Sequence, residues 1–184
     1  MNETNNVIAV VAVADERDIV KRRRLALSDI PREDQKLLDV LAYWQSKRKE
    51  GLLPAREDID IMVLRPVLGR THLIDVTADD PAEYRIRLYG TMTRVVSSNK
   101  LENPANPTNQ RLGSYPSEPY RKALMEDYHT VCLTGVPCYQ QVVANIDYIA
   151  YSYSRLILPL AADGRKVDTL MVCINPRKFS DLSI

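Results

Sequence analysis

Two apolar runs, "AYSYSRLILPLA" (150–161) and "VDTLMVCINP" (167–176), are joined by the short polar stretch "ADGRK". Its Asp163-Gly164 pair is a strong tight-turn signal, because glycine supplies the left-handed backbone that a short hairpin connection needs. The chain is thereby committed to an antiparallel hairpin. Pro159 has no N–H for a sheet ladder, so it implies an edge or bulge position, or an early end to pairing.

Around that hairpin the order of elements can be read. "THLIDV" (71–76) and "EYRIRLYG" (83–90) are two strands across the turn-rich "TADDPA". In the second, Ile86 and Leu88 alternate with Arg85 and Arg87, the pattern of a half-buried strand. The proline-rich stretch 97–119 reads as loop. "PYRKALMEDYHTVCLTG" (119–135) reads as a helix stopped by Gly135, and "CYQQVVANI" (138–146) as a further strand. Two strands, a helical crossover and three strands make an α+β domain on a five-stranded, mostly antiparallel sheet with flanking helices.

The entry to this sheet is a helix over residues 31–50. Pro31, Glu33 and Asp34 suit its first turn, Leu37, Leu41 and Trp44 form its apolar stripe, and Gly51 closes it. Pro54 blocks continuation. Asp58 or Asp60 is an N-cap for a short second helix over "IMVLRPVLG", which Pro66 makes short or irregular. Residues 1–30 are an N-terminal extension. Its valine run at 7–13 is a strand or a buried helix turn, and "DERDIVKRRR" favours a charged helix, so the extension is expected to be helical. Lys21, Arg22, Arg23 and Arg24 then form a solvated helix face, offset by Asp15, Glu16 and Asp18.

Composition narrows the function. The 184 residues are 45% hydrophobic and 27% charged, with 25 basic and 24 acidic side chains. A balance so close to neutral argues against nucleic acid as a partner. The N-terminal apolar run is far too short for a membrane span and has no basic flank before it. Cys132, Cys138 and Cys173 form no close pair, which suits packed thiols in a reducing compartment. A cytoplasmic location, with no membrane partner, is the expectation.

Several motifs in order carry a family resemblance: Trp44, then "LP" at 53–54, Arg56 and "DID" at 58–60. "LIDV" (73–76), "YRIRLYGT" (84–91), "TGVPCY" (134–139) and "LPLAADGRKVDTLM" (158–171) follow. With this order and spacing the chain resembles the single-domain PAS proteins common in alphaproteobacteria. The resemblance implies a PAS fold over residues 31–178, including its N-terminal helix, with 179–184 as a C-terminal tail. The acids and arginines of 53–70 are then caps and helix-to-sheet pairs. One stretch departs from the family: where members carry a glycine-bearing segment beside the ligand pocket, this chain reads "SSNKLENPANP" (97–107).

As the resemblance implies, the chain is a sensory or protein-interaction module, not an enzyme. It acts in signalling through a partner in trans, since the chain ends soon after the last strand. A small-molecule ligand is one option, and a ligand-free structural adaptor or dimerisation module is the alternative. A homodimer formed through the segment before Asp34 is expected. The cofactor is unknown. Flavin photochemistry is disfavoured for want of the reactive-cysteine helix. Haem needs an axial ligand, and His129, on the helix that supplies it in haem-binding PAS domains, is the candidate. His72 reads as a sheet residue, and two isolated histidines do not make a zinc site. No GxSxG, Walker A or GxGxxG motif is present. Period two places Ile86, Leu88, Leu156, Leu158, Leu170 and Val172 inward as the candidate lining of a pocket, with Arg85, Arg87 and Arg155 outside.

Overall fold

In a computed structural model of the chain, the described residues are 9–11, 18–93, 107–146 and 149–177. They form one sheet of seven strands, in the order β1-β2-β5-β6-β7-β3-β4. The strands are β1 (Ala9–Val11), β2 (Ile19–Leu25), β3 (Thr71–Asp75), β4 (Arg85–Leu88), β5 (Cys138–Ile146), β6 (Ile149–Leu160) and β7 (Thr169–Pro176). All six pairings are antiparallel. Two α-helices, α1 (Gln35–Ser46) and α2 (Glu118–Thr134), are found among the described residues. The α+β class and the five strands β3 to β7 agree with the sequence reading.

The N-terminal extension does not. Residues 19–25 are a strand, not a charged helix, and pair along their whole length with β5. Together with β1 they raise the sheet from five strands to seven. The reason lies in alternation. Val20 and Arg22 turn to one face and are buried, while Ile19 and Lys21 turn away and are exposed. The arginine that looked like part of a solvated helix face is an inward strand residue. Asp15 and Glu16, the valines at 7 and 13, most of "SSNKLENPANP" and the tail 179–184 lie outside the described residues.

The β6–β7 turn is as expected. Gly164 has φ +74°, and Asp163 Oδ1 accepts from the backbone N–H of Arg165 and Lys166 at 2.8 Å each. Pro159 pairs with Leu170 of β7, and it lies beyond the end of β5, whose ladder reaches only Ile157. Its missing N–H therefore falls on an open side of the strand. Its carbonyl accepts from Trp44 Nε1 at 3.0 Å, which fixes α1 over β6.

The segment 53–70 is a strap, not a second helix; Pro66 lies within its turns at 61–67. Leu53 N–H donates to Gly164 O at 2.8 Å and Ala161 N–H to Pro54 O at 3.0 Å, tying it to the β6–β7 turn. Asp58 and Asp60 accept from Ala55 N–H and Met62 N–H at 2.9 Å each, so both acids serve turns.

Both faces of the sheet are covered. On one, α1 buries Leu37, Val40, Leu41 and Trp44 against Leu73, Tyr139, Leu156, Leu158, Met171 and Cys173. On the other, α2 buries Leu124, Tyr128 and Val131 against Ile74, Ile86, Ile157, Leu170 and Val172. The α1 face also holds a fully buried carboxylate, Asp34, just before the helix. It accepts from Tyr139 Oη, from Asn175 Nδ2 at 2.7 Å and from Arg177 Nη1 at 2.9 Å.

This double cover corrects the inward set. Leu156 stands opposite Cys173 and Leu158 opposite Met171, so these leucines face α1, while Leu170 and Val172 face α2. A bulge between Leu73 and Ile74 aligns Leu73 with Leu88 and Ile74 with Ile86, which sends Ile86 to the α2 side and half-buried Leu88 to the α1 side. Arg85 and Arg87 are exposed as expected, but Arg155 is inside. Leu158 is fully buried beneath α1. Leu158→Ala is expected to lower the unfolding free energy by about 2–5 kcal/mol in urea titration, and a change below about 0.5 kcal/mol contradicts this packing.

Candidate ligand cavity

The site grows from an acid in an apolar stripe. On α2 the buried positions are Pro119, Ala123, Leu124, Asp127, Tyr128 and Val131, which follow helical periodicity. Gly135 ends the helix at φ +63°. Asp127 thus points into the protein, where an isolated carboxylate is costly. Arg155 of β6 and Gln140 of β5, cross-strand partners in register, meet it there. Arg155 Nη2 donates to Asp127 Oδ2 at 2.5 Å and to Gln140 Oε1 at 2.6 Å, and Gln140 Nε2 donates to Asp127 Oδ1 at 2.8 Å. Arg22 of β2 closes the cluster, with Nη1 at 2.7 Å from Asp127 Oδ1 and Nη2 at 2.7 Å from Glu126 Oε2. Burial alone would weaken the Arg155 cation, but the Asp127 carboxylate outweighs it, and the guanidinium pKa is raised.

Beside this cluster, between the sheet and α2, lies a small cavity of about 30 Å³, part of it open to solvent. Ile74, Ile86, Leu112, Leu124 and Ile174 give it aliphatic walls, and Tyr89, Tyr115, Tyr120 and Tyr128 give it aromatic ones. Its remaining lining is Arg155 and His72. The Arg155 guanidinium lies 5.6 Å from the centre of the Tyr128 ring, a cation–π distance. Burial pushes the phenols of Tyr115, Tyr120 and Tyr128 above the ordinary range, so all three stay neutral.

His72 is neutral too. Burial, then the Arg155 charge, lowers its pKa to about 3. Its Nδ1 accepts from Gly90 N–H at 3.1 Å, so the ring proton sits on Nε2. The ring packs on Tyr89 at 4.1 Å between centroids. Glycine is required at 90: a Cβ there would sit 2.6 Å from the Gly69 carbonyl oxygen.

Residues 32–174 match the PAS domain family across most of the chain. The chain belongs to the PAS domain family. No curated protein matches it in sequence. The cavity of this PAS domain takes only Ile86 from the six candidates read from period two. Leu170 and Val172 lie behind it in the α2-side core, and Leu88, Leu156 and Leu158 lie on the far face of the sheet. His129 is half-buried on α2, outside the lining, with Nδ1 at 3.2 Å from Tyr84 Oη. Among the described residues no group of three or more His, Cys, Asp or Glu could hold a metal, and no helix is long and apolar enough to cross a membrane.

The polar members, Arg155, Asp127, Gln140 and His72, were missed from sequence. One signal was there. Asp127 falls between Leu124 and Val131 on the apolar stripe of a helix, and a buried acid calls for a buried base.

Two outcomes test this geometry. Asp127→Asn leaves two guanidinium groups short of their shared anion, and is expected to cost about 3–5 kcal/mol in urea unfolding. The second concerns pH. With a folded pKa of about 3 against an ordinary value of 6.5, His72 binds its proton only in the unfolded chain between those values. Stability is complete above pH 6.5 and falls as the medium is acidified towards pH 3, by about 1.4 kcal/mol per unit from this residue. His72→Gln is expected to flatten that part of the stability–pH curve. An unchanged slope contradicts the neutral buried ring.

Proposed function

We propose that this PAS domain is a sensory module that binds a small molecule between its sheet and α2 and reports through contacts with another protein. PAS domains generally act as sensory or interaction modules rather than enzymes. The observation that carries the ligand reading is the lining of the cavity: aliphatic and aromatic walls around one buried guanidinium, the makeup of a site that holds an apolar body by one polar group. Arg22 supports the reporting half. It links the Asp127–Arg155 pair at the cavity to β2, so a ligand that draws on Arg155 also alters the hold on the N-terminal strand pair. That strand pair is the proposed contact surface for a second copy or a signalling partner.

Native mass spectrometry of the purified chain, with Ile86→Phe beside it, is the test. A bound small molecule in the wild type, lost in a variant that stays folded by circular dichroism, is the expected result. If the wild type carries no ligand and no compound of a fragment set raises its Tm, the adaptor role takes the place of the sensor.

A further inference from the structure

Three charged side chains with little access to solvent meet under α2, and their charges do not cancel. Arg22 and Arg155 are 6% and 2% exposed, yet they share a single buried carboxylate, Asp127. The other acid nearby, Glu126, is 65% exposed in its side chain and, among the described residues, pairs with Arg22. Arg22 therefore has two acids and Arg155 has a share of one. The hydrogen bonds of Arg155 among the described residues all leave from Nη2, and its buried Nε–H has no acceptor. An unmatched donor on a desolvated cation is costly unless something accepts from it.

The cavity onto which Arg155 opens has no acid in its lining among the described residues. Its other polar groups are the Nε2–H of His72, a donor, and the tyrosine hydroxyls, which can donate O–H. The rest of the wall is apolar. Such a lining favours one anionic group attached to an apolar body. It disfavours a phosphate dianion, because Arg22, the second cation, is already held by two carboxylates.

We propose that the cavity binds a small monocarboxylic acid, whose carboxylate accepts from Arg155 and whose apolar part packs among Ile86, Leu112 and Leu124. This rests on the cavity being a ligand site, as set out under Proposed function.

The test is calorimetric titration of the full chain with sodium benzoate, sodium isobutyrate and uncharged benzamide at matched ionic strength. At least one acid is expected to bind saturably, and benzoate at least about tenfold more tightly than benzamide, the value of a charge-assisted contact. Arg155→Met is expected to erase that preference. Ile86→Phe, which narrows the cavity without touching the charged cluster, is expected to weaken the acid. If Arg155→Met does not fold, the wild-type ratio and Ile86→Phe decide the matter. Equal affinity for benzoate and benzamide overturns the acid while leaving a neutral-ligand cavity standing. Acid binding that Ile86→Phe leaves unchanged places the acid elsewhere and overturns the proposal. Failure of both acids at millimolar concentration also overturns it, and the mass spectrum then shows whether a different ligand occupies the site.

Discussion

The contact between Asp127 and Arg155 decides how the α2 side of the molecule is built. It is one of the few interactions that joins a helix to the middle of the sheet by charge rather than by apolar packing. A buried pair of this kind is weak evidence of net stability, since both ions give up water. Its force lies in what it forbids. With Asp127 fixed on α2 and Arg155 fixed on β6, the helix cannot rotate or slide without exposing a buried charge to apolar surroundings. Gln140 and Arg22 extend the same constraint to β5 and β2. The position of the helix, the docking of the N-terminal strand and the charged end of the cavity all follow from one carboxylate.

The opposite face repeats the device. Asp34 stands at the entry of α1 and gathers Tyr139 from β5, Asn175 from β7 and Arg177 beyond it. Each helix thus meets the sheet through an apolar stripe and one buried acid. The stripe gives most of the burial but little register, because leucines and valines tolerate sliding. The acids supply register, since their partners must fall within hydrogen-bond reach. Trp44 adds a third fixed point with its bond to the Pro159 carbonyl. The cavity lies on the α2 side, where Arg155, His72 and four tyrosines join the aliphatic residues.

What the sequence made legible follows from how local each signal is. The β6–β7 hairpin was readable because Asp163 and Gly164 specify their own turn. Helix α1 was readable because Leu37, Leu41 and Trp44 repeat at helical spacing with Gly51 beyond. Strand β2 was not. Its run of basic residues reads as a solvated helix face until β5, far along the chain, is there to pair with it. Arg155 was placed outside on a rule that holds for a sheet with one wet face. Here both faces are covered, so β6 is buried from Tyr151 to Leu160 and alternation no longer separates inside from outside. Only the partner of Arg155, an acid on a separate helix, marks it as an interior residue.

The pairing of β2 with β5 also bears on how the chain reaches this state. Arg22 finds the carbonyl of Ala123 across 101 positions of sequence, and among the described residues the strand that carries it has only the three residues of β1 as a nearer pairing partner. A contact of that span is formed late, because the loop it closes is costly until the rest of the sheet is in place. The core strands β5 to β7 are joined by short connections and can assemble first. During synthesis β2 therefore leaves the ribosome long before its edge exists. Until β5 has formed, that seven-residue strand carries a row of backbone N–H and C=O groups with no ladder to join, a span of chain the rest of the fold must wait to cover.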